Sequence, residues 1–460
     1  MHTVHSTIAA LFGLGLLASS VQAALNAVDS GPYLPENGDF AAWYQDTHGR
    51  ALDLCLSKAI SSRVAGAPGA PSYMCSLLPN PGVFDDTLPI VFPTNFPDEA
   101  FWFTGDTAIQ DPGSGINLIY VSALEAAFGS GLPAAGDQIS FARIRIRVDV
   151  PTAGTYVITH PYGVEVVDVD APGTRAINMT RDIGIGAAGV YTGALGGDVG
   201  PFLRSVNGPY TETNPDTLQA ETFVGDPNLL EPVTGSPFGT NYVRIEGPNG
   251  IDLRTDDFAV SGKLSSVVLP TPLIVERSTY ARSTSIQIDP DTQQEVTVEA
   301  AQQDVFVEAP PPPATVSFED TAGSPALSMS EADTTGSWYG QSTASPTPLG
   351  SVSVTAENAV AIPSSTPTTA SSQLVDQVTI TSATFSVDSG VLTLEARSSD
   401  ETAAPTLAAR VTGSGTNLGE LAGATHLKSA TLRLTSIPPA QVTVTSANGG
   451  SDTEQVIILP

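Results

Sequence analysis

Few side chains here have the types and spacing that chemistry needs. Beyond the first residues the histidines are His48, His160 and His426, far apart in the chain. Zinc sites draw His or Cys ligands at short spacings, and neither HExxH nor a CxxC pair occurs. The GxSxG elbow of serine hydrolases and the phosphate-binding GxxxxGK[ST] are missing too. Paired carboxylates do occur, at Asp98/Glu99, Asp168/Asp170 and Asp256/Asp257. Glycoside hydrolysis needs two such groups across a cleft. Among 48 acidic residues, neighbouring pairs are expected by chance.

Hard oxygen donors also suit Ca²⁺. The loops that could supply them hold Asp168 and Asp170, Asp252 with Asp256 and Asp257, and Asp289-Pro290-Asp291 with Glu295. None has the DxDxDG spacing of an EF-hand loop, and Asp289 to Asp291 also reads as a hairpin turn. Sugar rings stack on exposed aromatics; Trp338-Tyr339, between Gly336 and Gly340, is the best-placed pair for that. Trp43, Tyr44 and Trp102 sit among apolar neighbours and read as core. Asn178-Met179-Thr180 is a glycosylation sequon. Cys55 and Cys75 are the only cysteines, and an even count in an exported chain predicts one disulfide.

Export is read from residues 1–23. An apolar run from Ile8 to Ala18 precedes Val21-Gln22-Ala23, which places small residues at −3 and −1 of a cleavage site. The n-region carries no Lys or Arg. The run is shorter than the roughly 20 residues a membrane span needs, and no later segment is long and apolar enough.

The 460 residues suggest two to four domains. The net charge is 18 − 48 = −30, yet 41% of residues are hydrophobic, so the chain is expected to fold. Phosphate backbones and anionic membrane surfaces need clustered Lys and Arg, so nucleic acid and lipid surfaces are poor partners. A protein or carbohydrate ligand at or outside the cell surface is the expected partner.

The elements that must position these residues read as strands. Leu52, Leu54 and Leu56 alternate with Asp53 and Cys55. Residues 142–150, ARIRIRVDV, set Ile144, Ile146, Val148 and Val150 against Arg143, Arg145, Arg147 and Asp149. That is the pattern of a half-exposed antiparallel strand. Residues 116–128, INLIYVSALEAAF, read as a strand running into one short helix. A hairpin is expected from STSIQI through DPDTQQ to EVTVEA. The four prolines Pro310 to Pro313 read as an exposed connection within their unit. After residue 373, strands recur every 10–14 residues with Gly, Ser, Asp or Pro between, as in a β-sandwich.

The expected fold is therefore all-β: tandem immunoglobulin-like β-sandwich modules behind a small disulfide-bonded N-terminal unit with one short helix. The expected divisions are a signal peptide at 1–23, the N-terminal unit at 24–135, and sandwiches at 136–268, 269–370 (with the Pro-rich segment) and 371–460.

Two stretches carry a resemblance. WYQD through ALDLCL, MCSLLP and FPDEAFWF is similar to the N-terminal part of uncharacterised exported proteobacterial proteins. ALEAAF, GDQISFARIRIRV, GTYVITHPYGV and GTNYVRIEGP resemble the next part of the same proteins. The C-terminal unit resembles bacterial immunoglobulin-like or cadherin-like modules. The resemblance implies a Gram-negative source and export to periplasm, surface or medium, with no activity to transfer. The expected function is a noncatalytic exported protein acting in binding, adhesion or as a scaffold. The alternatives are a Ca²⁺-assisted carbohydrate-binding protein and a secreted hydrolase using paired carboxylates.

Overall fold

The computed structural model describes residues 24–332, 334–347, 349–359, 364–435 and 437–460. The expected signal peptide at 1–23 lies outside the described residues. Those described form mostly antiparallel sheets joined by loops and three short 3₁₀ turns, with no α-helix among them.

The short helix expected near residues 121–128 is strand. Ile116–Phe128 runs unbroken between Glu99–Asp111 and Gln138–Val150 and pairs with both. Ala, Leu and Glu favour helix, but Leu118, Tyr120, Leu124 and Ala126 alternate into the core and are fully or nearly fully buried. Burial between two long neighbours overrides local propensity.

Residues 24–268 share one core. A seven-stranded sheet runs in the order Arg204–Ser205, Glu231–Thr234, Asp257–Ser261, Glu99–Asp111, Ile116–Phe128, Gln138–Val150, Gly173–Ile183. A six-stranded and a four-stranded sheet accompany it, and one apolar cluster runs from Leu25 to Val260. The division expected at 135/136 falls in the turn between two paired strands. Buried polar tips are satisfied across long sequence separations. Tyr44 donates to the carbonyl of Tyr191 at 2.7 Å, and Trp102 Nε1 to that of Ala41 at 3.1 Å.

The middle module packs a five-stranded sheet against a four-stranded one around Val305, Val307, Val316, Phe318, Val352 and Val354. Its spine is one long hairpin, Ile274–Ile288 with Glu295–Glu308. The prolines 310–313 carry the chain from the hairpin to Thr315–Glu319 in the facing sheet. Strands Thr368–Gln373 and Val375–Asp376 still belong to this module, so it reaches beyond the expected end at residue 370.

The C-terminal module stacks two four-stranded sheets on Leu392, Leu394, Leu407, Val442 and Val444. Its last strand, Ile457–Leu459, runs parallel to Val378–Ser386. On Val378–Ser386 the apolar residues are buried and the Thr and Ser between them are half-buried or exposed.

Candidate functional site

Polar groups converge at the two junctions between modules and on the outer face of the seven-stranded sheet.

At the first junction the tight turn between strands Trp43–Asp46 and Ala51–Asp53 enters the middle module. His48 is buried there, and its Nε2 donates to the carbonyl of Thr335 at 3.1 Å. Burial, with Arg50 and Arg204 nearby, lowers its pKa to about 3, so the ring is neutral. Gln45 Nε2 donates to the carbonyl of Pro270 at 3.2 Å. Gly336 has φ +87°, and a Cβ there would sit 2.7 Å from the Ala309 oxygen and 3.1 Å from His48 Nε2. Only glycine allows this approach.

At the second junction the long hairpin of the middle module reaches into the C-terminal one. Arg282 Nε donates to Asp400 Oδ1 at 2.7 Å; Tyr280 OH and Asn448 Nδ2 each donate to Oδ2 at 3.0 Å. The Ala403 amide adds a fourth bond at 2.8 Å. Backbone bonds flank them, from Arg282 N to Ser399 O and from Glu401 N to Arg282 O. Asp376, with no exposed surface, accepts from Ser398 Oγ and from the Gly450 amide. A Cβ on Gly450 would collide with the Asp376 carbonyl. Burial raises the Asp400 carboxyl, but bonds from Arg282, Ala403 and Tyr280 outweigh it and hold it below the usual carboxylate range. An arginine stands here in the role that a bridging cation would have between modules.

The residues expected to bind Ca²⁺ or sugar lie elsewhere and apart. Asp252 is gripped by the Arg244 fork at 2.7 Å through both oxygens. Asp256 pairs with Arg254, and Asp168 accepts from Thr155 Oγ1 at 2.6 Å. Asp170 and Asp257 are exposed. Asp289 caps its own turn, accepting from the Asp291 and Thr292 amides. Among the described residues no three His, Cys, Asp or Glu side chains are grouped to hold a metal ion. Arginine already satisfies two of these carboxylates, which sequence spacing could not show.

Trp338 is core, not a sugar platform. It is buried, with Nε1 donating to the carbonyls of Ala309 and Pro310. Tyr339 points out from the opposite face, packs tilted against Phe306 with ring centroids 5.0 Å apart and donates to Asp304. Neighbours on a strand face opposite ways, so the pair cannot form one stacking surface.

Cys55 and Cys75 form the expected disulfide, with Cα atoms 5.4 Å apart. It is buried with Met74, Phe84 and Phe223 and ties down the irregular segment before Glu99–Asp111.

Two carboxyls on the outer sheet face are pushed up to about 7 by burial, Asp106 and Glu125. They do not make a glycosidase pair. Asp106 lies opposite Val121, and Glu125 is four residues further along that strand, roughly 14 Å away at strand spacing. Inverting and retaining enzymes hold their carboxyls about 5–9.5 Å apart. Glu125 is also committed to Arg143 at 2.9 Å. A shallow depression of about 540 Å³ is lined by Asp320, Leu327 and Gln341 to Ala344. Its one acid, Asp320, accepts from Ser324 and Ser342 and stays below its usual pKa, chiefly through Ser342.

Fold and contacts together define a tandem, all-β chain whose modules are bolted to one another. No family model and no curated protein matches it. Among solved structures, it is similar to the ectodomain of a teleost fish polymeric Ig receptor at 11% identity and a TM-score of 0.19. That match covers 35% of this chain and 92% of the receptor chain. A 1.5-MDa bacterial ice-binding adhesin matches at 9% identity and a TM-score of 0.14, over 70% of this chain and 91% of that one.

Proposed function

We propose that this chain is an exported, noncatalytic multi-module protein that presents a binding surface at a fixed geometry, as an adhesion or scaffold component outside the cytoplasm. The observation that carries this reading is the second junction. Four donors converge on one fully buried carboxylate between modules, and breaking such a group away is costly. Flexible linkers do not build buried networks; a spacer that must hold direction does. The buried disulfide supports an oxidising compartment, and the leader-like residues 1–23 and the resemblance to exported proteins agree with it. No helix among the described residues is long and apolar enough to cross a membrane.

Small-angle X-ray scattering of the full chain tests this reading. One rigid arrangement should fit the curve at low and at high salt. A curve that needs an ensemble of module orientations would overturn the spacer role.

A further inference from the structure

The outer face of the seven-stranded sheet carries a row of arginines that the proposed spacer role leaves unused. On Gln138–Val150, Ile144, Ile146 and Val148 are fully buried, and Arg143, Arg145 and Arg147 line the opposite face, half-buried. Successive members of such a row stand about 6.8 Å apart. The three are not equivalent. Arg143 is spent: its fork closes on Asp182 at 2.7 and 2.8 Å and on Glu125 at 2.9 Å. Arg145 has one long contact, Nε to Thr180 Oγ1 at 3.4 Å. Arg147 Nε is buried with no partner.

Across the row, the neighbouring strands place Val121 and Thr180 beside Arg145, and Ile119 and Asn178 beside Arg147. Neither guanidinium has an ion pair within 4.0 Å among the described residues. Desolvation and the like charges of Arg145, Arg175 and Arg143 press the Arg147 guanidinium downward. Asp106, two strands away in the same row as Arg145, is held up to about 7 by burial, so much of it is neutral where it could have balanced the charge. Nine of the fifteen arginines have no ion pair within 4.0 Å among the described residues, and Arg145 and Arg147 are the two that stand two residues apart on one strand.

We infer that Arg145 and Arg147 form a binding site for an extended acidic polypeptide segment with carboxylates on alternate residues. An extended chain repeats its same-face side chains every 6.8 Å or so, matching the arginine row. Guanidinium forks grip carboxylates in pairs of parallel bonds. Ile119, 43% exposed beside Arg147, offers apolar contact to the residues between. The side chains flanking Arg145 and Arg147 include no aromatic ring, which favours polypeptide over sugar. This site supplies a partner class for the binding role proposed above and rests on that reading. It is tested apart from the junctions.

The experiment is fluorescence anisotropy of a labelled alternating Glu-Thr peptide titrated with the full chain. The comparison ligands are a block Glu/Thr peptide of equal composition, an alternating Lys-Thr peptide and polygalacturonate. The alternating acidic peptide should bind best. R145Q and R147Q should each weaken it by about tenfold, as loss of a charge-assisted bond predicts, and R410Q, at an exposed position of the C-terminal module, should not. Equal binding of the block peptide, equal loss in R410Q, or no binding would overturn the site. So would polygalacturonate binding more tightly with the same arginine dependence, which would assign the row to an acidic polysaccharide. The peptide comparison on the unaltered chain stands even if a variant misfolds. Failure here with a rigid scattering curve would leave the spacer reading intact.

Discussion

Replacing Arg282 by Met tests whether the second junction is held by charge. Methionine keeps the aliphatic stem packed and removes the guanidinium. Asp400 would retain Tyr280, Asn448 and the Ala403 amide as donors but lose its only cation within ion-pair distance. Asp400 has no exposed side-chain surface, whereas Arg282 is 19% exposed. Removing one partner of a fully buried pair costs about 3–5 kcal/mol. With three donors left and one partner near solvent, about 2–3 kcal/mol is expected here. Asp400 is held below its ordinary pKa, so its contribution is present at neutral pH and is lost as pH falls below the usual carboxylate range. The R282M deficit should therefore shrink in acid. Calorimetry of the full chain should show the C-terminal transition separating from the middle one at pH 7, with scattering broadened by module motion. Adding D400N to R282M should recover part of the loss, because no buried charge is then stranded. Unchanged midpoints and an unchanged scattering curve in R282M would refute the idea that this pair locks the modules.

Other outcomes follow from the same contacts. His48 is neutral in the fold, with a pKa of about 3 against an ordinary 6.5. Stability it supports is full above 6.5 and falls as pH drops toward 3, by about 2 kcal/mol at pH 5; H48Q should flatten that slope in urea midpoints. Asp106 titrates near 7 instead of near 3.8, so ionising it disfavours the fold as pH rises through that window. D106N should be more stable than the parent at pH 8 and equal to it near pH 4. Replacing Cys55 and Cys75 by Ala should cost about 3 kcal/mol in the chain-entropy model and speed proteolysis between residues 56 and 97; unaltered cleavage would show that the core alone holds this segment. Millimolar Ca²⁺ should leave the thermal midpoint unmoved, since arginine already holds Asp252 and Asp256; a shift would reveal an ion site elsewhere.

Strand character was legible because period-two burial is local. ARIRIRVDV alternates as its pattern requires, and the hairpin around Asp289 to Asp291 turns where the turn residues stand. The failures came where local and tertiary signals diverge. Ala-Leu-Glu-Ala-Ala reads as helix until two flanking strands claim its backbone. Trp338 between glycines reads as exposed, yet those glycines let neighbouring atoms close in: a Cβ on Gly340 would meet the Phe318 ring and Met329. The junctions could not be read at all. Asp376, Asp400, Tyr280, Arg282 and Asn448 span 168 residues, and no spacing rule links them. Gly450 is needed there because it lies against Asp376.

The arginines carry the distinction between structure and partner. Arg63, Arg143, Arg181, Arg244, Arg254 and Arg282 each meet a carboxylate. The other nine arginines have no ion pair within 4.0 Å among the described residues. For Arg145 and Arg147 the reason is local: the strands beside them bring Val121, Ile119, Thr180 and Asn178 to their sides. The acid in the same row, Asp106, is too buried to stay ionised easily. Replacing Asn178 by Asp tests this argument. The new carboxylate would stand beside Arg147 as Asp182 stands beside Arg143. Folding stability should rise by a few tenths to about 1 kcal/mol, as for a cross-strand ion pair, while acidic-peptide binding should fall. If N178D gains stability and still binds as the parent does, the row does not bind through Arg147.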